Sequence, residues 1–156
     1  MAQYTVMVNA TSNTTTNTED TWIELLPPAN VSILLKRIRV SFPHSTTLDQ
    51  PARIRVTRSS AAGATGTAAT FVKRRPAAPA AVTAGNVKNG TNAFSVGTVV
   101  DVLLDSAVNT RGVFEWVARD EDDYMLSGVN QRINVLLRIL GATVSVVCNV
   151  ECDFEE

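Results

Sequence analysis

The chain's 156 residues suit one domain, and 45% apolar residues can fill one hydrophobic core but hardly two. Its net charge of -1 conceals a segregation: residues 1–35 carry -3, residues 36–88 carry +9 and residues 89–156 carry -7. This excludes a uniformly basic nucleic-acid binder and a highly charged disordered tail, and leaves a molecule able to offer opposite charges to different neighbours.

The N-terminus, Met1-Ala2-Gln3-Tyr4, has no basic segment of the kind that opens an export signal. No apolar run approaches the roughly 20 residues of a membrane helix, so no membrane partner is expected and the chain should be made and folded in a cytoplasm. Tyr4–Asn9 alternates as a first strand. Residues 10–20 form a Thr/Asn tract with little to bury and are expected as a loop or flexible arm. Thr21–Leu26 is a second strand, ended by Pro27-Pro28-Ala29-Asn30, whose prolines supply no ladder donors. Val31–Phe42 is long for a strand and should bulge near Leu35. His44, the only histidine, has no companion at metal-ligand spacing. Ala52–Arg58 completes the N-terminal strands.

Residues 59–95 break the rhythm. The stretch is rich in Ala, Gly and Thr, too poor in large apolar residues to form its own domain, and long for an unused loop. It is expected to run over the surface with one or two short strands near Ala69–Lys73 and Ala80–Ala84. Strands resume at Val96–Leu104, Val113–Val117 and Tyr124–Ser127. The acidic run Asp120-Glu121-Asp122-Asp123 lies between the last two and lacks the spaced ligands of a calcium loop, so it reads as a solvated turn. Arg132–Leu140 and Val144–Phe154 follow, with Gly141-Ala142 as a hairpin signal between them. The leucines of Ile133–Leu140 would suit a helix, but β-rich neighbours favour a strand.

The reading is therefore one all-β domain over residues 1–156: an antiparallel β-sandwich of jelly-roll or Greek-key type, with a closed barrel as the alternative. Its core is expected to draw on Val6, Val8, Ile38, Val40, Ile54, Val56, Val150 and Phe154, and also on Val100, Val102, Leu104, Phe114, Trp116 and Leu126.

Cys148 and Cys152 fall on one side of the last strand, roughly 13 Å apart at strand rise, beyond the roughly 4.4–6.8 Å between the Cα atoms of a disulfide. They read as buried free thiols. No cofactor and no metal is implied.

The clearest charge pattern is a double basic ladder, Lys36-Arg37-Ile38-Arg39-Val40 and Arg53-Ile54-Arg55-Val56. Arginines alternating with β-branched residues place Arg37, Arg39, Arg53 and Arg55 on one solvated face if the two strands pair. Glu151, Asp153 and Glu155 on the last strand, with Asp101 and Asp105, are candidate internal counter-charges. An acidic neighbour protein is a second answer. Nucleic acid is a third, disfavoured because no aromatics interleave the bases for stacking. Lys73-Arg74-Arg75 reads as a solvated loop more than as a basic peptide motif. These arginines and carboxylates, with Lys73, Arg74 and Arg75, are the candidate protein-interface residues. Signatures of nucleophile elbows, phosphate loops and dinucleotide sites are missing, and one histidine removes most triads, so no enzyme is expected.

Four stretches, taken in order, resemble a group of small β-sandwich virion proteins of tailed bacteriophages: "KRIRVSF" at Lys36–Phe42, "RIRVTRSSAAGATGTAAT" at Arg53–Thr70, "GVFEWVARDEDDYML" at Gly112–Leu126, and "CDFEE" at Cys152–Glu156. The match is one of pattern and composition. A Pro-Leu-Asp pattern associated with the end of the excursion is replaced here by Phe71-Val-Lys-Arg-Arg-Pro76. The resemblance implies a structural role: a capsid decoration (cement) protein on the surface of a phage head, synthesised in the host cytoplasm, homo-oligomeric with a trimer favoured, and bound to the major capsid protein. A head-fibre or tail-associated module binding host-surface glycans is the alternative, and a carbohydrate-active or calcium-dependent enzyme the third.

Overall fold

The computed structural model describes residues 1–12, 19–43, 49–61, 66–90, 95–140 and 146–156. It is all-β. Among the described residues twelve strands run β1 (Gln3–Thr11), β2 (Asp20–Leu26), β3 (Leu34–Ser41), β4 (Pro51–Ser59), β5 (Thr67–Ala68), β6 (Phe71–Lys73), β7 (Ala84–Val87), β8 (Val99–Asn109), β9 (Val113–Val117), β10 (Met125–Leu126), β11 (Arg132–Ile139) and β12 (Val147–Glu155). One 3-10 turn at Glu121–Asp123 is the remaining regular element among the described residues. Among the described residues no helix is long and apolar enough to cross a membrane.

The strands form two antiparallel six-stranded sheets. In the first, the order is β6-β1-β12-β3, with β9 and β10 both on the far side of β3. In the second, it is β5-β7-β2-β11-β4-β8. Neither sheet closes, which removes the barrel alternative. The long pairings are nested: β1 with β12, β2 with β11, β3 with β9 and β4 with β8. Inward residues of both sheets meet in one hydrophobic cluster, with Val6, Ile38, Val150 and Phe154 from the first and Ile23, Leu25, Ile54, Val56 and Val135 from the second. Strand period explains why: each of these is separated from its neighbour on the same face by one polar or outward residue.

Two expectations about neighbours fail. β3 and β4 lie in different sheets, and so do β11 and β12, so the double arginine ladder is not one face and the last two strands do not form a hairpin. Along the chain, β1 to β4 alternate between the sheets. Alternation in sequence marks which side of a strand is buried, but it is silent about which strand lies beside it. Gly141-Ala142 and His44 fall outside the described residues.

Strand ends also move. Residues 10 and 11 belong to β1 and Asp20 to β2, while the middle of the Thr/Asn tract lies outside the described residues. β3 starts three residues later than expected, since Val31 closes a turn on the Pro28 carbonyl at 3.1 Å and Asn30 takes the left-handed conformation at φ 64°. The bulge lies at Lys36, where Asp153 and Phe154 face Arg37 and Leu35. Three of the expected core residues, Val100, Val102 and Leu126, are instead 46–49% exposed. Val100 and Val102 sit on β8, an edge strand whose pairing with β4 slips at Val100 and Leu103, and Leu126 sits on the two-residue edge strand β10.

The excursion covers the opposite edges. β6 adds to β1, while β7 adds to β2 with β5 outside it. Phe71 brings the segment home: its ring meets Phe154 edge-on at 5.1 Å, and Phe154 stacks on Tyr4 at 5.5 Å. The Tyr4 hydroxyl donates to the Pro79 carbonyl at 3.1 Å. Gly85 is required for this approach, because a Cβ there would stand 2.7 Å from Phe71 Cζ and 3.1 Å from the Glu24 carbonyl.

Candidate functional site

The outward face of the first sheet carries the charges. On β3, Arg37 stands opposite Asp153 of β12, and Arg39 stands between Glu151 of β12 and Glu115 of β9. Arg37 takes most of the acids: it hydrogen-bonds Glu151, reaches Glu115 at 3.6 Å, and holds its Nε 2.9 Å from Asp153 Oδ2 at an angle that makes this an ion pair rather than a hydrogen bond. Arg74, just past β6, binds Asp153 from the other side. At the end of the strand, the bulge turns Lys36 onto Glu155 at 2.6 Å, with its ammonium 4.9 Å from the centre of the Tyr124 ring. The hydrogen bond from Lys36 raises the Lys36 pKa. Burial alone would raise that of Glu155, but Lys36 and Gln3 together hold it below the ordinary carboxylate value.

The second sheet answers its own arginines. Arg53 clamps Asp105 on β8, with Nε to Oδ1 at 2.8 Å, and this hydrogen bond lowers the Asp105 pKa. Arg55 meets Glu19 at 2.7 Å and Arg58 meets Asp101 at 3.2 Å. The internal answer to the basic strands is therefore largely what the fold supplies, with the correction that Arg37 and Arg39 belong to one sheet and Arg53 and Arg55 to the other. Glu19, Arg58 and Glu115 were missed as partners. All three become legible only once the strand neighbours are known.

Another polar group is more deeply buried. Lys88 Nζ lies 3.1 Å from Asp20 Oδ2, with side chains 0% and 4% exposed, and 5.8 Å from the centre of the Trp22 ring. Nearby on β2, Glu24 is held by Arg132 at 3.2 Å and by the Asn86 amide at 2.9 Å. These contacts tie the end of the excursion to the second sheet.

Of the candidate interface residues, Arg37, Arg53, Arg55, Arg74, Glu151, Asp153 and Glu155 are engaged within the chain. Arg39, Lys73 and Arg75 are exposed, with no ion pair among the described residues. Beside Arg39 the sheet face dips into a groove of about 630 Å³ lined by Met7, Asn9, Ser41, Asn149 and Glu151. The acidic run forms a turn in which Asp120 accepts from the amides of Asp122 and Asp123. Among the described residues no three potential ligands are grouped to hold a metal ion.

Both cysteines are free and buried in the core. Burial drives both thiols far above their ordinary range; Lys88 offsets this slightly at Cys148. A soluble disulfide reagent at mildly alkaline pH should thus leave the folded protein unlabelled and titrate both thiols after urea is added. Equal labelling rates in the two states would contradict this placement.

The remaining outstanding surface is apolar. Along β8, β9 and β10, Val99, Val100, Val102, Val113, Val117 and Leu126 are each between 39% and 54% exposed. Trp116 and Phe114 lie behind them, packed on the margin of the core, as expected of their side of the strand. Comparison of the chain with protein-family models, curated proteins and solved structures finds no match.

Proposed function

We propose that this chain is a structural virion protein, a capsid decoration protein that binds the outer surface of a phage head and bridges neighbouring major capsid subunits. The observation that carries the reading is the apolar edge of β8, β9 and β10. Six aliphatic side chains exposed along the edge strands at one end of the two sheets, with Val113 and Val117 flanking Glu115 on β9, are contact points that a subunit of an assembly can offer to its neighbours. The sequence resemblance names the kind of assembly. The nested pairing supports the finer fold reading, a jelly roll, because the orders β1-β12-β3-β9 and β2-β11-β4-β8 are those of a long antiparallel ribbon wrapped into two four-stranded sheets.

In this reading the protein acts without chemistry. Each copy adds modest contact area across a joint between capsid subunits, and repetition over the lattice sums many weak contacts into a stiffer shell. Copies associate with one another, three being the favoured number. The groove beside Arg39 has no aromatic platform for a sugar ring in its lining, so the glycan-binding alternative would use the smaller cleft beside Trp116 and Tyr124.

Purified protein added to heads that lack it should bind saturably and raise the temperature at which they rupture. Failure to bind, with no change in rupture, would reject the proposal. Saturable glycan binding by the free protein in that case would favour the alternative.

A further inference from the structure

We propose that copies of this chain associate head to tail, the β8, β9 and β10 side of one sandwich packing against the β5, β6 and β7 side of the next. The contact deepens the assembly reading above, yet it is argued from the two surfaces alone.

The strand order sets these surfaces apart. β9 and β10 lie at one end of the first sheet and β6 at the other; β8 and β5 lie at the corresponding ends of the second. A short turn joins β8 to β9, and residues 69 and 70 join β5 to β6, so each side of the sandwich presents two sheet edges together. One chain cannot bring its own two sides into contact. Each nonetheless exposes aliphatic side chains: Val113 and Val117 on β9 at 54% and 52%, Val72 on β6 and Val82 at 56% and 63%.

Charge selects the partner. The turn after β9 carries Arg119 and four consecutive acids, a net of -3, and Asp122 and Asp123 are exposed. The excursion carries Lys73, Arg74, Arg75 and Lys88 with no acid between residues 59 and 94. Arg74 is held by Asp153 and Lys88 by Asp20, which leaves the charges of Lys73 and Arg75 facing outward. Glu156, which lines a pocket together with Arg75, accepts from the Val82 and Thr83 amides. A two-fold contact would oppose two sides of the same net sign. Only the head-to-tail contact joins the opposite signs, and it closes into a ring when its rotation divides the circle.

The acidic side also offers a seat. A cleft of about 450 Å³ opens between the sheets there, lined by Leu103, Leu104, Trp116 and Tyr124 together with Asp122 and Asp123. Arg58 reaches into it with its charge answered by Asp101. Such a cleft accepts a long basic side chain, stem on the apolar wall and head at the carboxylates. Lys73 and Arg75 of a second copy are the residues that fit.

Sedimentation velocity of the free protein tests this without any capsid, so the result stands whether or not heads are bound. The parent should self-associate at low salt and less so at high salt. Lys73→Glu with Arg75→Glu, and separately Asp122→Lys with Asp123→Lys, should each weaken self-association at least about tenfold, since each leaves two sides of like charge. An equimolar mixture of the two variants should associate again, which also shows that both are folded. A monomeric parent at low salt, a variant that associates as the parent does, or a mixture that stays apart would each overturn the proposal.

Discussion

Lys88→Met should destabilise the fold by about 3–5 kcal/mol, the usual consequence of removing one member of a buried ion pair. Lys88 and Asp20 are almost wholly shielded from water, and their charged atoms are 3.1 Å apart. The substitution leaves a carboxylate in that setting without its ammonium. The same lysine closes a backbone link, its amide donating to the Trp22 carbonyl at 3.0 Å, so methionine keeps the link and the stem while deleting the charge. Urea unfolding measures the effect: with a slope of about 1–3 kcal/mol per molar, the midpoint should fall by roughly 1 M or more. Joining Asp20→Leu to Lys88→Met should recover most of the loss, because a buried pair replaced by apolar groups of similar volume is often close to neutral. A single variant that loses less than about 1 kcal/mol would show that water reaches the pair and that the ion pair is of the weak, solvated kind.

That pair also marks the limit of what the sequence discloses. Alternation in Gln3–Thr11, Leu34–Ser41, Pro51–Ser59 and Val147–Glu155 is enough to find these strands and their buried sides, because one face of each must leave water. The acids of β12 were legible as counter-charges for the same reason: Glu151, Asp153 and Glu155 fall on one side at every second position. Sheet membership was not legible. Arg37 and Arg53 have the same local pattern, but one meets β12 and the other meets β8, a choice made by pairings more than 50 residues away in sequence. Lys88 sits in a stretch whose composition reads as surface, and only the return of β7 to β2 buries it. Val100 and Val102 show the reverse. Their apolar character suits a core, yet an edge strand with two slips turns them toward solvent. A sequence pattern that calls for burial without receiving it from its own chain is the feature on which the proposed assembly rests.

Phe154→Ala should cost about 3–5 kcal/mol, the range for deleting a buried aromatic ring. The ring is 0% exposed, stacks on Tyr4, and receives the edge of Phe71. The loss should not be confined to the core. Phe71 is the largest side chain by which β6 holds to the sandwich, and with Phe154 gone its ring faces a cavity on that side and keeps its packing on Gly85. The excursion should loosen before the sandwich unfolds. Under native conditions, trypsin should then cut after Lys73 or Arg74 faster in Phe154→Ala than in a variant of equal global stability altered on the opposite side of the core, such as Ile54→Ala. Phe71→Ala should open the same site at a smaller global cost, since its ring is only partly buried. The double variant should fall short of the sum of the two singles, because one contact is lost in both. Equal cleavage in Phe154→Ala and Ile54→Ala would mean that the excursion opens only with the whole fold, and that the Phe71–Phe154 contact does not by itself hold Lys73 and Arg75 in place on their side of the molecule.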